Sequence, residues 1–289
     1  MPITNCYLCK STNFLKRQGV VRDNPNLDVL ECTECKLVFL SDFNHINSLH
    51  YENSGMHGDS LISIPEWLKD TESDDERRFQ FIKTKAINKI LLDFGCGVGG
   101  FLLKSKNITK LSVGIEVEIR LQNFYKSQNL TVYKNLEELQ KQKIKFDIIT
   151  AFHVIEHLPD PILTLTHIKA SLKEDGEIIL EVPNSDDALL TLYNSKEFSN
   201  FTYWSQHLYL FNQFNLSKLI NKAGLKVNWI RQIQRYSIAN HLYWLSFGKP
   251  GGHKVWSFLN NQDISSAYEN NLASLGICDT LIASASIKK

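Results

Sequence analysis

Leu91-Leu92-Asp93-Phe94-Gly95-Cys96-Gly97-Val98-Gly99-Gly100 is the stretch that decides the architecture. Its apolar start reads as a buried strand, which ends in an acidic residue and breaks into a glycine-rich turn. Glycines carry no Cβ to hold a backbone away from a bound nucleoside, and a following helix offers free N–H groups. Leu111-Ser112-Val113-Gly114-Ile115-Glu116 reads as a second strand ending in a carboxylate, 17 residues beyond Gly99. Glu116 is therefore placed to accept hydrogen bonds from ribose hydroxyls. Two ligand classes compete for this loop. Gly95, Gly97 and Gly100 satisfy the G-x-G-x-x-G pattern of dinucleotide sites, whereas Asp93, Gly95, Gly97 and Gly99 spell D-x-G-x-G-x-G.

The second spelling resembles the first strand and loop of class I S-adenosylmethionine (SAM) methyltransferases, and the likeness covers roughly Ile90 to Lys289. The resemblance implies a seven-stranded, Rossmann-like α/β sheet whose final strand enters antiparallel between the fifth and sixth. It puts the loop residues Gly95, Cys96, Gly97 and Gly99 at the cofactor, with Gly95 and Gly97 along its methionine part. It sets Asp93 beneath SAM and Glu116 on the ribose. Asn135-Leu136 stands where related proteins contact adenine, partly through backbone.

Composition agrees with a globular enzyme. The chain has 289 residues, 43% hydrophobic and 22% charged, with a net charge of +1. That length allows one large domain and a small one, and the balanced charge gives no strong field for nucleic acid or an anionic membrane. No run of about 18 apolar residues and no signal-peptide pattern is present, so a cytoplasmic location without membrane contact is expected.

Cys6-x2-Cys9 and Cys32-x2-Cys35, 22 residues apart, have the spacing of a four-thiolate zinc site. The expectation is a zinc ribbon over residues 1–40, its Zn²⁺ structural because four thiolates leave no open position. Cys278 reads as a packing residue. Residues 41–75 are polar and read as a linker, with Tyr51 and His57 as candidates to fold over the cofactor, as a segment does in related methyltransferases. A helix is expected over Asp74–Asn88, with Phe79, Phe81, Ile82 and Ile87 on its apolar side.

The methyltransferase domain, residues 76–289, alternates strand and helix, as a parallel sheet covered on both faces requires. Strands are expected near Ile90–Phe94, Ser112–Val117, Thr131–Tyr133, Phe146–Phe152, Glu177–Val182, Leu225–Ile233 and Thr280–Ile287. Helices are expected at Gly100–Lys106, Ile119–Ser127, Leu136–Gln142, Pro161–Leu172 and Asn215–Lys222, with Gly176 stopping the fourth.

Phe146 to Pro161 carries the candidate chemistry. An apolar strand ends in Phe152-His153-Val154-Ile155-Glu156-His157, which is similar to the V-[LI]-E-H-[LVI]-x-[DN]-P of the methyltransferase family. The resemblance puts Phe152 and His153 beside the SAM methionine and Glu156–His157 toward the substrate. A hydroxyl nucleophile needs a base, and His153 or His157 would serve; the blander alternative for His157 is a cap on the following turn. Glu156 would orient an imidazole or bind a sugar hydroxyl. Ubiquinone-pathway O-methyltransferases and small-RNA terminal methyltransferases carry a similar E-x-x-E-H that holds a divalent metal. By that likeness His153, Glu156, His157 and His207 form a candidate second metal site.

Two aromatic insertions, at residues 198–211 and 236–258, are expected on the substrate side. Phe201 to Phe211 reads as a substrate wall, and Tyr236 to Trp256 suits either a saccharide or a homodimer contact. A zinc ribbon followed by this domain resembles bacterial methyltransferases that decorate surface polysaccharides or nucleotide sugars or act in secondary-metabolite biosynthesis. The leading expectation is SAM-dependent O-methylation of a saccharide-type or other small acceptor. Sugar C-methylation, RNA methylation and a non-catalytic SAM-binding role are the alternatives. Lys10, Lys16, Arg17, Arg22 and Lys36 in the ribbon are offset by Asp23, Asp28, Glu31 and Glu34, so a nucleic-acid partner is not expected.

Overall fold

The structure, a computed structural model, describes residues 2–46 and 63–288. His57 and the candidate cofactor residue Tyr51 lie outside the described residues. The chain opens with three short antiparallel strands, β1 (Phe14–Lys16), β2 (Val29–Cys32) and β3 (Val38–Leu40). Helix α1 (Ile64–Ala86) follows, and then strand and helix alternate: β4 (Ile90–Phe94), α2 (Gly100–Ser105), β5 (Leu111–Ile115), α3 (Gln122–Ser127), β6 (Thr131–Tyr133), α4 (Leu136–Lys141), β7 (Phe146–Phe152), α5 (Pro161–Lys169) and β8 (Leu172–Pro183). Short helices α6 (Ala188–Thr191) and α7 (Lys196–Thr202) lead to β9 (Tyr209–Leu210). The chain ends with α8 (Gln213–Lys222), β10 (Leu225–Ile233), α9 (Ile238–Phe247), α10 (Gly252–Val255), α11 (Gln262–Leu275) and β11 (Thr280–Ile287).

Seven strands form the main sheet in the order β10-β11-β8-β7-β4-β5-β6. β11 is antiparallel to both neighbours, and the pairs from β8 to β6 are parallel. This is the arrangement that the resemblance implied. In β7 every residue except Asp147 is buried, as befits a strand covered by helices on both faces. The chain runs from β4 outward to β5 and β6, then returns to β7 on the other side. Strand order therefore reverses beside β4, and a crevice opens at the carboxyl ends there.

Three expectations need correction. Helix α1 begins at Ile64, so residues 64–75 of the expected linker are helical. Ser63 caps it by accepting from the Glu66 N–H, with Pro65 in the first turn, a start signal that outweighs the polar composition. Ile87, expected on its apolar side, is the C-terminal cap and 53% exposed. Gly176 does not stop a helix: α5 ends at Lys169 with Ala170 as cap, and Gly176 lies inside β8. A Cβ there would stand 2.8 Å from Leu172 Cδ1 and 3.0 Å from the Phe146 carbonyl oxygen, so close packing explains the residue.

The third correction concerns the aromatic run. Tyr203, Tyr209 and Phe211 are buried, and β9 joins the N-terminal strands to make a second sheet, β1-β2-β3-β9. Val38 pairs with Leu210 and Phe39 with Tyr209. One hydrophobic cluster runs without a break from Leu8, Val38 and Leu40 through Tyr209 and Phe211 to Ile155 and Leu180. A ribbon of about 40 residues cannot cover its own apolar face, and these rings cover it. In the second insertion Asn240 and His241 are likewise buried, with the His241 ring bonded to the Tyr268 hydroxyl at 2.8 Å. Leu245, Phe247 and Phe258 remain on the surface. Among the described residues no helix is long and apolar enough to cross a membrane.

Because the two sheets share one core, Phe211→Ala should weaken both. A fully buried Phe costs about 3–5 kcal/mol on truncation. The expected result in urea is one transition at a lower midpoint; two separated transitions would mean that ribbon and main sheet do not share a core.

Candidate active site

The crevice beside β4 is a cavity of about 550 Å³. Its floor is the loop after β4, where Gly95, Gly97 and Gly99 all have positive φ. A Cβ on Gly95 would meet Val154 Cγ2 at 2.5 Å, so both the turn and the close approach exclude a side chain. Glu116, at the end of β5, accepts from the Gly97 N–H at 2.8 Å and the Glu118 N–H at 3.0 Å. The carboxylate thus joins the loop to the second strand. Burial pushes its pKa up, against those backbone bonds. Tyr125 donates its hydroxyl to the Gly97 carbonyl at 2.5 Å and fixes the loop from below.

The structure brings Gly95, Cys96, Gly97, Glu116, Phe152, His153 and His157 to the cavity wall. Other expected residues stand elsewhere. Asp93 is buried under the loop, where it accepts from the Thr150 hydroxyl at 2.7 Å. Burial, with the Asp75 and Glu116 charges, raises it to about 7. Gly99 caps α2. Asn135 turns its side chain to the Glu138 N–H at 3.0 Å and caps α4, and neither it nor Leu136 reaches the wall. Glu156 is fully buried behind the wall, and His207 lies in the seam between β9 and the N-terminal strands.

The roof was not foreseen. It is the N-terminal two-thirds of α1, which lays Trp67, Thr71, Asp74, Asp75 and Arg78 over the glycine loop. Glu181 on β8, with no exposed surface, holds it there. Arg77 donates to both Glu181 oxygens at 2.9 Å, and Arg78 donates to Oε1 at 3.0 and 2.8 Å. The Arg78 guanidinium also lies 5.0 Å over the Phe152 ring. Asp74 pairs with Arg77 and with Arg235, the latter from the chain after β10. Burial opposes ionisation of Asp74, yet Arg235 brings it down to about 2. The acidic and basic doublets Asp74-Asp75 and Arg77-Arg78, one helical turn apart, were the available signal.

The three histidines differ sharply. His153 has φ of 55°, a left-handed conformation rare for a side-chain-bearing residue, and its N–H is bonded to the Glu181 carbonyl at 2.8 Å. Nδ1 donates to Glu156 Oε1 at 3.0 Å, and Nε2 lies 3.4 Å from Glu181 Oε1 and 3.3 Å from Arg235 Nη1. Burial lowers its pKa, but the two carboxylates outweigh this and the net shift is upward. His157 donates Nδ1–H to the Gln206 carbonyl at 2.8 Å, and burial draws its pKa below the ordinary histidine value. Burial, with the neighbouring His157, takes His207 down to about 3. Ligand atoms of Glu156, His157 and His207 lie within 4.8 Å of one another, and Glu156 Oε2 and His207 Nδ1 are buried without a hydrogen-bond partner among the described residues.

Cys6, Cys9, Cys32 and Cys35 form a second cluster. Cys6 and Cys35 sulfurs are 3.5 Å apart, and those of Cys9 and Cys32 are 3.4 Å apart. A disulfide needs about 2.05 Å, whereas sulfurs on one tetrahedral Zn²⁺, at about 2.3 Å each, stand nearly 4 Å apart. The donor set suits one structural zinc ion.

Comparison with known proteins bears on this geometry. A family model described as a methyltransferase domain matches residues 69–228, more than half of the chain. Ubiquinone biosynthesis O-methyltransferase of Haemophilus ducreyi is 32% identical over 124 residues, which are 37% of this chain and 52% of that protein. tRNA U34 carboxymethyltransferase of Nautilia profundicola is 32% identical over 132 residues, 40% of this chain and 44% of its own length. The chain thus spans about half the length of these relatives. Magnesium protoporphyrin IX methyltransferase of Synechocystis, solved with S-adenosylhomocysteine, superposes with a TM-score of 0.50 at 13% identity over 82% of this chain and 97% of its own. A SAM-dependent methyltransferase of Thermotoga maritima gives 0.50 at 19% identity over 78% and 94%. These two show a shared fold. The matched segment contains most of the roof helix, the glycine loop, Glu116 and the histidine turn, and the chain belongs to the SAM-dependent methyltransferase domain family.

Proposed function

We propose that the protein methylates a hydroxyl group of a small-molecule acceptor, with His157 as the general base. The supporting observation is the Gln206 carbonyl on His157 Nδ1. It keeps the proton on that nitrogen and makes Nε2 the accepting one, on a ring that borders the cavity and that burial keeps neutral. SAM, when bound, supplies a methyl group on a positively charged sulfur, ready for in-line attack. The cavity fits it: Cβ-free backbone at Gly95 and Gly97, Glu116 for the ribose, and carboxylates facing a cation. His157 takes the proton from the acceptor hydroxyl as the oxygen attacks. His153 is the poorer base, since its two carboxylate neighbours favour the protonated ring. Its role in this reading is to hold Glu156, Glu181 and the loop in place.

The acceptor is kept to the broad class of hydroxylated small molecules. Tyr203, Tyr209 and Phe211 of the expected substrate wall pack against the N-terminal strands instead, and Asn240 and His241 of the second insertion are buried, which weakens the argument for a sugar. The Haemophilus relative, by its name an O-methyltransferase, favours the same chemistry. The Nautilia relative's name supports a tRNA acceptor as the second reading. Against that, Arg78 and Arg235 at the cavity are held by Glu181 and Asp74, and in the ribbon Lys16 pairs with Asp28 and Arg17 with Glu31. These are not arrays for phosphate. Leu245, Phe247 and Phe258 are the surface on which a homodimer would rest.

Three measurements test this reading. Excess S-adenosylhomocysteine at about 100 times its Kd should add about 2.7 kcal/mol and raise the melting point by several degrees. Glu116→Ala should abolish the rise, and a rise with NAD instead would overturn the cofactor assignment. With an active acceptor, His157→Gln should lower kcat by about 10²–10⁴-fold. The wild-type rate should fall as pH drops through a value below the ordinary histidine pKa of about 6.5, because the base must be unprotonated; a loss under about fivefold would return His157 to a capping role. Metal analysis should find one zinc per chain, lost in Cys9→Ser. A second bound equivalent that falls in Glu156→Gln, with activity lost on chelation, would instead favour a metal held by Glu156, His157 and His207, whose two unpartnered atoms are the observation for it.

A further inference from the structure

We propose that the cysteine ribbon is the positioning device for His157, acting through the segment Ser205–Leu208. His157 is oriented by a backbone carbonyl 49 residues downstream, that of Gln206. Residues of the N-terminal module hold the segment on either side of that carbonyl. On one side of Gln206, Ser205 gives its backbone N–H to Asp23 Oδ1 at 2.9 Å and its hydroxyl to Asp23 Oδ2 at 2.7 Å. The Ser205 carbonyl accepts from His45 Nε2 at 2.7 Å. On the other side, the Leu208 carbonyl accepts from the Leu40 N–H at 3.1 Å, where β3 begins its pairing with β9. The carbonyl that aims the imidazole is therefore clamped before and after by residues of the N-terminal module.

The same module holds the other end of the histidine turn. Tyr7 lies within the first Cys-x2-Cys knuckle. Its hydroxyl donates to Asp160 Oδ1 at 2.5 Å and accepts from the Ile162 N–H at 2.9 Å. Asp160 is the N-terminal cap of α5, three residues after His157. Tyr209, on β9, packs against the Tyr7 ring at 5.3 Å and donates to the Pro159 carbonyl at 3.1 Å. Thus a Cys-x2-Cys turn, a strand pairing and one carboxylate converge on the segments that hold the His157 turn. A catalytic group must be held within about 0.5 Å of its working geometry by its supporting contacts, and here those contacts come from the ribbon. Asp23 and Tyr7 are positioning residues; neither borders the cavity.

The proposal rests on the reading of His157 as base only for its consequence in turnover, so its test reads the ring directly. The full-length, zinc-loaded protein is labelled with ¹⁵N-histidine, the His157 signals being assigned by their loss in His157→Gln. Spectra are taken at pH 8, where the ring is neutral. In the wild type, His157 should show a single tautomer with the proton on Nδ1. Asp23→Ala should give a tautomer mixture and at least a tenfold faster modification of His157 by diethyl pyrocarbonate, with the S-adenosylhomocysteine melting shift unchanged. Asp23→Asn, which can still accept from the Ser205 N–H, should restore the wild-type pattern. If Asp23→Ala lowers soluble yield, Tyr7→Phe, which keeps the ring against Tyr209, carries the same expectations. An unchanged His157 tautomer and reactivity in a variant that binds S-adenosylhomocysteine would overturn the proposal. So would loss of S-adenosylhomocysteine binding together with the tautomer, since the ribbon would then support the whole domain and not this histidine. Neither result depends on whether His157 proves to be the base.

Discussion

A carboxylate without access to water is costly unless charged partners surround it, and Glu181 in the middle of β8 is such a group. Its partners are Arg77, Arg78 and His153. Burial opposes its ionisation, but these neighbours hold its pKa well below the ordinary glutamate value. Meeting this one requirement sets much of the site. It brings α1 down over the glycine loop as a roof, and Arg78 onto the Phe152 ring. It also holds the strained backbone of His153, whose N–H is bonded to the carbonyl of the same Glu181. The roof, the wall and the histidine turn are three consequences of one buried charge.

The second constraint is area. The N-terminal strands are too short to bury an apolar face by themselves, and β9 with its aromatic neighbours completes them. A segment rich in Tyr, Trp and Phe after the fifth strand of the main sheet reads as a binding surface when only its composition is considered. Tyr203, Tyr209 and Phe211 from it are in fact the joint between two sheets. The cavity is left with a wall that is apolar at Phe152 and Val154 and charged at Asp74, Glu116 and Arg235, a lining suited to a cationic nucleoside.

The histidines show how environment separates chemically equal side chains. His153 and His157 are four residues apart; His157 is buried and His153 half-buried. One faces two carboxylates and keeps its proton more firmly; the other has a carbonyl partner, which burial outweighs, and gives its proton up more readily. His207 has neither a carboxylate bond nor a place on the cavity wall, and its pKa is the lowest of the three.

Much of the fold was legible in the chain because its signals are local. Positive-φ turns demand glycine at 95, 97 and 99, a parallel strand buried on both faces demands an apolar run such as Phe146–Phe152, and a thiolate knuckle demands Cys-x2-Cys. Each rule is satisfied by residues within about ten positions, so sequence by itself determined the loop, the alternation of strand and helix, and each cysteine knuckle, while the spacing of the two knuckles pointed to their joint cluster. What only the tertiary structure decided lies at longer range: Arg77 with Glu181, 104 residues apart, Asp23 with Ser205, 182 apart, and the carbonyl that selects the tautomer of His157. Those choices follow from which polar group is buried opposite which, and a one-dimensional pattern does not hold that distance information.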